Sequence, residues 1–259
     1  WRNFFRITIR SINKNKAFNS INIAGLAIGL ASAIFIILYI ISETSYDRFH
    51  ERSKDIYRLY ISGKMAGEEF TPIAGPSFYE AIPEIENFCR FDFVGQQLMW
   101  VEPDNKFLEE SVMMADSTFF EVFTIKLLEG DPATCLDEPN TILLSESKVR
   151  QYFPDGNALG KSIAMNNESS VYRVTGIVED APRNSHFRYG FIASYSSDER
   201  SKATFWLNNW MMTYFLVQPG TDHALLNEKI NASMIEFIRP QLEQIMGISP
   251  EEFMESGGE

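Results

Sequence analysis

Residues 21–41 read INIAGLAIGLASAIFIILYII, an apolar run with no charge and a single amide, Asn22. A helix rises about 1.5 Å per residue and the hydrocarbon core of a bilayer is about 30 Å thick, so about 20 such residues span it. The run has that length and predicts one transmembrane helix, with the chain before it and the chain after it on opposite sides of a membrane. Residues 1–20 carry Arg2, Arg6, Arg10, Lys14 and Lys16 and no acid, and the first acid of the chain is Glu43. The net charge of −12 therefore leaves −17 on residues 43–259. Lys and Arg beside a span stay on the cytoplasmic side, which places the N-terminus in the cytoplasm and the large acidic part outside. A secretory signal peptide also begins basic and turns apolar, but its apolar part is shorter and ends at a small-residue cleavage site. Here the one triplet of that kind, Ala31-Ser32-Ala33, is followed by eight more apolar residues, which favours an uncleaved anchor.

The composition, 45% hydrophobic and 22% charged, is that of a globular domain and not of a disordered tail. A surface at −17 repels phosphate backbones and excludes nucleic acid as a partner. Proteins, lipids and small molecules are left. The two cysteines, Cys89 and Cys135, are too few for a disulfide framework, and a bridge or two free thiols both stay open. The chain begins without Met and ends in Glu255-Ser256-Gly257-Gly258-Glu259 with no second span, so it reads as part of something longer, truncated at its C-terminus.

Around the anchor, Trp1, Phe4, Phe5, Ile7 (or Thr8), Ile9 and Ile12 stand against Arg2, Arg6 and Arg10 in an incomplete helical pattern, expected to lie along the inner membrane surface. Within the span, Gly25 and Gly29 form G-x-x-x-G beside Ala24, Ala27, Ala31 and Ala33. Small residues let two backbones approach closely, so this face is expected to meet another transmembrane helix. After the span, Tyr46 and Phe49 suit the interfacial aromatic belt, residues 47–54 read as a short charged helix, and residues 56–61 as a first strand. Asp47, His50 and Glu51 have a spacing that suits a metal ligand set, but a solvated helix face gives the same letters and no second ligand cluster follows.

The remainder alternates short strands with short helices, an α+β pattern. Residues 73–81 read as a helix stopped by Pro83. Strands are expected over 88–93, 97–101, 106–113, 141–144, 162–165, 171–178, 191–195 and 211–217, with a hairpin loop at 166–170. Helices are expected at 117–122, from an N-cap at Ser145 through Tyr152, and from 223 to about 246 after a cap at Asp222.

The ordered series F-N-S-I-N-I-A-G-L-A-I-G-L-A at 18–31, E-T-S-Y-D-R-F-H-E-R-S-K-D-I-Y-R-L at 43–59, N-T-I-L-L-S-E at 140–146, Y-F-P at 152–154, L-G-K-S-I at 159–163, V-T-G-I-V-E-D at 174–180, P-R-N-S-H-F at 182–187 and Q-P-G-T-D at 218–222 resembles MacB/FtsX-type ABC transporter permeases, particularly the long forms common in Bacteroidota. The likeness covers nearly the whole chain. It implies a cytoplasmic segment over 1–20, a transmembrane helix over 21–41, and an extracytoplasmic MacB-like domain over 42–259 with two lobes, the inserted outer lobe at about 111–204. It further implies the bacterial inner membrane, a separate ABC ATPase subunit, further transmembrane helices of the same or another permease chain, and a periplasmic partner protein. The permease would turn ATP hydrolysis in its partner into movement of the outer domain, for export or mechanotransmission, with no chemistry of its own and no cofactor. The alternatives are a single-pass membrane-anchored sensor or ligand-binding protein, and an anchored hydrolase.

Three stretches imitate catalytic motifs. G-N-A-L-G-K-S at 156–162 has three residues between its glycines where a phosphate-binding loop needs four. Ser145-Glu146-Ser147-Lys148 fits S-x-x-K, but the companion motifs S-D-N and K-T-G are missing from the sequence. His186 has the chemistry of a general base but no nucleophile that the sequence can assign to it. An aromatic cluster including Trp206, Trp210, Met212 and Tyr214 is a candidate apolar cleft or docking face, with core packing as the alternative reading.

Overall fold

The structure, a computed structural model, describes residue 14 and residues 16–61, 67–102 and 106–255. The basic amphipathic pattern expected over residues 1–12 lies outside these. The chain divides into two compact units, Trp1–Asp47 and Arg48–Glu259.

The first unit contains α1, Lys16–Thr44, which is 29 residues long and has no buried residue. Its mean hydropathy reaches 2.5, long and apolar enough to cross a membrane. Two hydroxyls inside or at the end of this apolar stretch, Ser32 and Thr44, donate to the carbonyls of Ile28 and Ile40, four residues back, which satisfies them without an outside partner.

The second unit is built on one mixed sheet of 11 strands. Its strands are β1 (Ile56–Arg58), β2 (Ile85–Phe93), β3 (Gln97–Trp100), β4 (Lys106–Glu109), β5 (Val112–Ala115), β6 (Leu127–Gly130), β7 (Thr141–Ser145), β8 (Ser162–Met165), β9 (Asn167–Val178), β10 (Phe191–Ser194) and β11 (Met212–Val217). The order is β1-β11-β2-β5-β10-β7-β9-β8-β3-β4, with β6 paired to β9. The pairs β5–β10 and β7–β9 are parallel; the other ladders are antiparallel.

Both faces of the central strands are buried, which explains their continuous apolar runs. Successive side chains leave a strand on opposite sides, and the core is partitioned accordingly. Val112, Met114, Ile142, Leu144, Phe191 and Ala193 enter one cluster. Their alternates Met113, Ala115, Leu143 and Ile192 enter a second, with Phe91, Phe119, Phe123, Phe187 and Tyr214. A third cluster lies under α2 (Ala74–Ala81) and α5 (His223–Gln241), where Phe78, Phe215, Val217, Trp206 and Ile238 meet. The short helices α3 (Phe119–Val122) and α4 (Glu146–Tyr152) supply Phe119 to the second cluster and Val149 and Tyr152 to the first; α6 is Pro250–Glu255.

Several expectations shift. Residues 47–54 are a series of turns and not a helix; Asp47 has a φ of 56°, which interrupts helical geometry. Residues 106–113 form two strands in place of one, because the chain breaks at Glu110 and Ser111 and sends β4 to β3 and β5 to β2 and β10. The loop expected at 166–170 contracts to a turn at Asn166, whose φ of 64° lets Met165 pair with Asn167. Ser145 stands at the N-cap of α4 without a side-chain cap bond; its hydroxyl lies 3.1 Å from that of Ser147. Asp222 does cap α5, accepting from the N–H groups of Ala224 and Leu225 at 2.8 and 3.3 Å. The helix expected to reach 246 is α-helical to Gln241 and widens into a π turn over Leu242–Met246, ended by Gly247 at φ 68°.

Candidate functional site

Three features are candidates for function. The first is α1. A Cβ added at Gly25 or Gly29 would meet nothing within 4 Å, so the small-residue face carries no neighbour from the described residues of the chain.

The second is the collar that opens the folded unit. Phe49 packs against the second core cluster. The N–H of Thr124 donates to His50 Nδ1 at 3.1 Å, and the N–H of Glu51 donates to Thr124 Oγ1 at 2.9 Å. His50 is 4% exposed and its ring lies among Phe49, Phe123 and Phe187, which uses it for packing where the sequence offered a metal spacing. Arg52 then donates to Glu86 on β2, to Asp55 at 3.3 Å, and to the carbonyl of Val217 at the end of β11 at 2.8 Å. The hydrogen bond to Glu86, against burial, raises the guanidinium pKa. Two neighbouring strands and the α3 corner are thereby tied to residues 49–55.

The third is an open cleft of about 560 Å³. Phe93 at the end of β2, Val94, Gly95, Gln97 and Asn166 line it with the buried Met114 and Met165 behind them, and Asp92, Asp198 and Arg200 bring charge. Arg200 is clamped by Asp198 through Nε at 2.8 Å and Nη2 at 2.6 Å. Its distance to Asp92 is 3.9 Å. Burial pushes the Asp92 carboxyl up to about 6, against the pull of Arg200, and repulsion from Glu69 and Asp198 adds to it. Sequence reasoning missed this cleft because its charges come from two segments about a hundred residues apart, Asp92 and the Asp198–Arg200 pair. The available signal was an acid between two aromatics, Phe91-Asp92-Phe93, inside an expected strand.

A family model described as the MacB-like periplasmic core domain matches residues 20–233. The chain belongs to that family. Among solved structures, the MacB-like domain is similar to a domain assigned to a permease protein from Porphyromonas gingivalis, with a TM-score of 0.66 at 20% identity over 73% of this chain and 84% of that one. That likeness is one of fold. The periplasmic region of MacB from Actinobacillus actinomycetemcomitans gives a TM-score of 0.49 at 14% identity, covering 73% of this chain and 83% of the other. The extracellular domain of a noncanonic ABC-type transporter from Gram-positive bacteria gives 0.47 at 10%, covering 75% and 96%. None of the curated proteins matches this chain.

The MacB-like domain does not gather the aromatic candidates into one place. Trp206 packs in the third cluster, stacked on Phe237 with ring centroids 5.1 Å apart. Tyr214 is in the second, stacked on Phe91 at 5.2 Å, with Met212 on the same side. Trp210 rests against the first. Strand alternation sends Met212 and Tyr214 to one face of the sheet while the loop before β11 delivers Trp206 to the other.

The catalytic look-alikes separate in the same way. Lys148 of S-x-x-K pairs with Glu109 and Gln151, whereas buried Ser145 engages Ser147, so the lysine does not serve the serine. His186 shares a 2.7 Å hydrogen bond with the hydroxyl of Tyr214, an aromatic of the core. Gly160 N donates to the carbonyl of Val174 at 2.8 Å, a strand-entering turn. Cys89 and Cys135 are both buried free thiols, and burial raises both, Cys135 to about 11.

Proposed function

We propose that this chain is part of a permease subunit of an ABC transporter, driven by a separate ABC ATPase and anchored in a bacterial inner membrane with its N-terminus in the cytoplasm. The observation that carries this reading is the bare 29-residue apolar helix placed directly ahead of a domain of the MacB-like periplasmic family. Gly25 and Gly29 supply the contact face for further transmembrane helices. The collar at 49–55 supplies the connection through which helix movement reaches β2 and β11, so the chain transmits motion and does no chemistry. Residues 111–204 form the outer lobe in this scheme. In the strand order β5, β10, β7, β9 and β8 of that stretch lie beyond β2, and β3 and β4, which precede residue 111, lie beyond them at the far end, so the outer part would also include residues 97–109. A periplasmic partner protein would meet this outer part.

The test is joint expression of the full-length permease with its candidate ATPase. The two are expected to co-purify from membranes. A Glu168→Cys variant should react with an impermeant thiol reagent in intact spheroplasts, and a Lys14→Cys variant only after lysis. Labelling of Lys14→Cys from outside, or a full-length protein that recovers no ATPase, would sink the reading.

A further inference from the structure

Among the described residues after α1, the Lys and Arg side chains without an ion pair are Arg48, Lys54, Lys106, Arg183, Arg188 and Lys202; every other one is paired with Asp or Glu. Lys106 lies instead 4.4 Å from the centre of the Trp100 ring. A lone surface cation is ordinary, since water satisfies it. The placing of these is not. Arg48 and Lys54 stand on the collar, and Arg183 and Arg188 stand on the β9–β10 loop that packs against it. Phe187 of that loop is 1% exposed, its ring 5.2 Å from Phe123 and 6.3 Å from His50. Beside it, Arg188 donates to the carbonyl of Arg183 at 3.3 Å, and both arginines are exposed. Glu179 and Asp180 of the loop are taken by Lys126 and Arg150, and Asp55 of the collar by Arg52. Asp47 and Glu51 are the acids that remain, so cations are in excess here although residues 43–259 together carry −17.

The length of chain between the span and the collar decides what can meet these cations. Residues 42–44 carry α1 about 5 Å past the apolar run, into the headgroup layer of a bilayer. Arg48 follows Thr44 by four residues, a reach of at most about 14 Å. A helix with its side chains is about 10–12 Å across, so a folded partner has little room in that interval, whereas lipid phosphates already stand there. Tyr46, 42% exposed, has the amphipathic ring that suits the same layer. Guanidinium groups take phosphate oxygens through two parallel hydrogen bonds, and the field of an anionic surface adds a long-range attraction. We propose that Arg48, Arg183 and Arg188 bind the phosphate headgroups of anionic lipids, docking the collar and the β9–β10 loop on the outer face of the membrane. This rests on the reading of α1 as a membrane anchor and not on the ATPase.

The test places the full chain in nanodiscs of phosphatidylcholine alone or of an equal mixture of phosphatidylcholine and phosphatidylglycerol, and compares millisecond hydrogen exchange over residues 183–189. Exchange is expected to be at least about fivefold slower in the anionic discs, the scale of one basic residue at an anionic surface. Arg183→Gln combined with Arg188→Gln should abolish the difference. So should about 0.5 M NaCl, where the Debye length falls to about 4 Å. Lys202→Gln, which removes an unpaired cation outside this group, should keep it. Glycerol 3-phosphate added to the phosphatidylcholine discs should not reproduce it. Equal exchange in the two loaded discs, slowing that survives the double substitution or the salt, loss of the slowing in Lys202→Gln, or the same slowing from glycerol 3-phosphate would each overturn the proposal. If the double variant fails to fold, the disc comparison and the salt dependence of the parent still decide it. A chain that enters discs of neither composition would overturn the anchor itself, and the proposal with it.

Discussion

Arg90 shows how much one residue can fasten when burial leaves it little solvent. Its guanidinium donates to Asp116 through Nε and Nη2, both at 2.8 Å, and to the carbonyl of Pro72 at 2.6 Å, while its own N–H also bonds Asp116. Burial opposes this charge, and the hydrogen bonds to Asp116 override it and raise the pKa. The pair joins the strand β2, the turn after β5 and the segment before α2, with side chains only 12% and 13% exposed. Removing one partner of a buried pair leaves the other charge stranded, so Asp116→Ala should cost about 3–5 kcal/mol in denaturant unfolding. Replacing both residues by apolar ones of similar size should cost less than that single change. Asp92 behaves oppositely. Its folded pKa of about 6 exceeds the ordinary carboxylate value, so the folded state keeps a proton that the unfolded chain has released. Stability from this group is therefore present at about pH 4, is lost as pH rises to 6, and is level above that. Asp92→Asn should match the parent near pH 4 and exceed it at neutral pH by on the order of 1 kcal/mol, read from thermal unfolding across pH 4–7.5.

At the scale of elements, the most constraining contact is a pair of glycines. Gly130 of β6 stands opposite Gly176 of β9. With Gly130 at φ 109°, an added Cβ would lie 2.6 Å from the carbonyl oxygen of Thr175, a backbone atom that cannot step aside. Gly130→Ala should cost about 1–3 kcal/mol and loosen β6 first, visible as lost amide protection over Leu127–Gly130. This strand is also the one that the sequence concealed, since L-L-E-G has neither alternation nor length. Elements with a local signal were legible: α1 from its unbroken apolar run, α5 from the Asp222 cap, β11 from its dense β-formers. For α1 the expected outcome is that Gly25→Leu or Gly29→Leu lowers crosslinking to the other transmembrane helices while unfolding of the outer domain is unchanged. Equal crosslinking would show that this face meets no helix.

For the whole molecule, the family and the α+β class were readable from the order of short motifs, but the assembly of the sheet was not. The parallel pair of β5 with β10 joins Val112 to Phe191, and the charged end of the cleft joins Asp92 to Arg200. Separations of that kind are fixed by tertiary packing and leave no periodic trace in the chain. The same holds for the collar, whose residues read as a solvated helix face until His50 is seen beneath Thr124 and Arg52 beside Glu86 and Val217. The collar matters because the two compact units meet in sequence at Asp47 and Arg48. If movement passes from α1 into the sheet through covalent continuity and the collar, slack at that junction should disconnect the two while leaving each folded. Inserting Gly-Ser-Gly-Ser between Asp47 and Arg48 should therefore preserve the unfolding temperature and ATPase co-purification. ATP-dependent changes in hydrogen exchange over β2 and β11, expected in the parent complex, should disappear in the insertion variant. Persistence of those changes would place the coupling elsewhere, through transmembrane helices that touch the outer domain without using this collar.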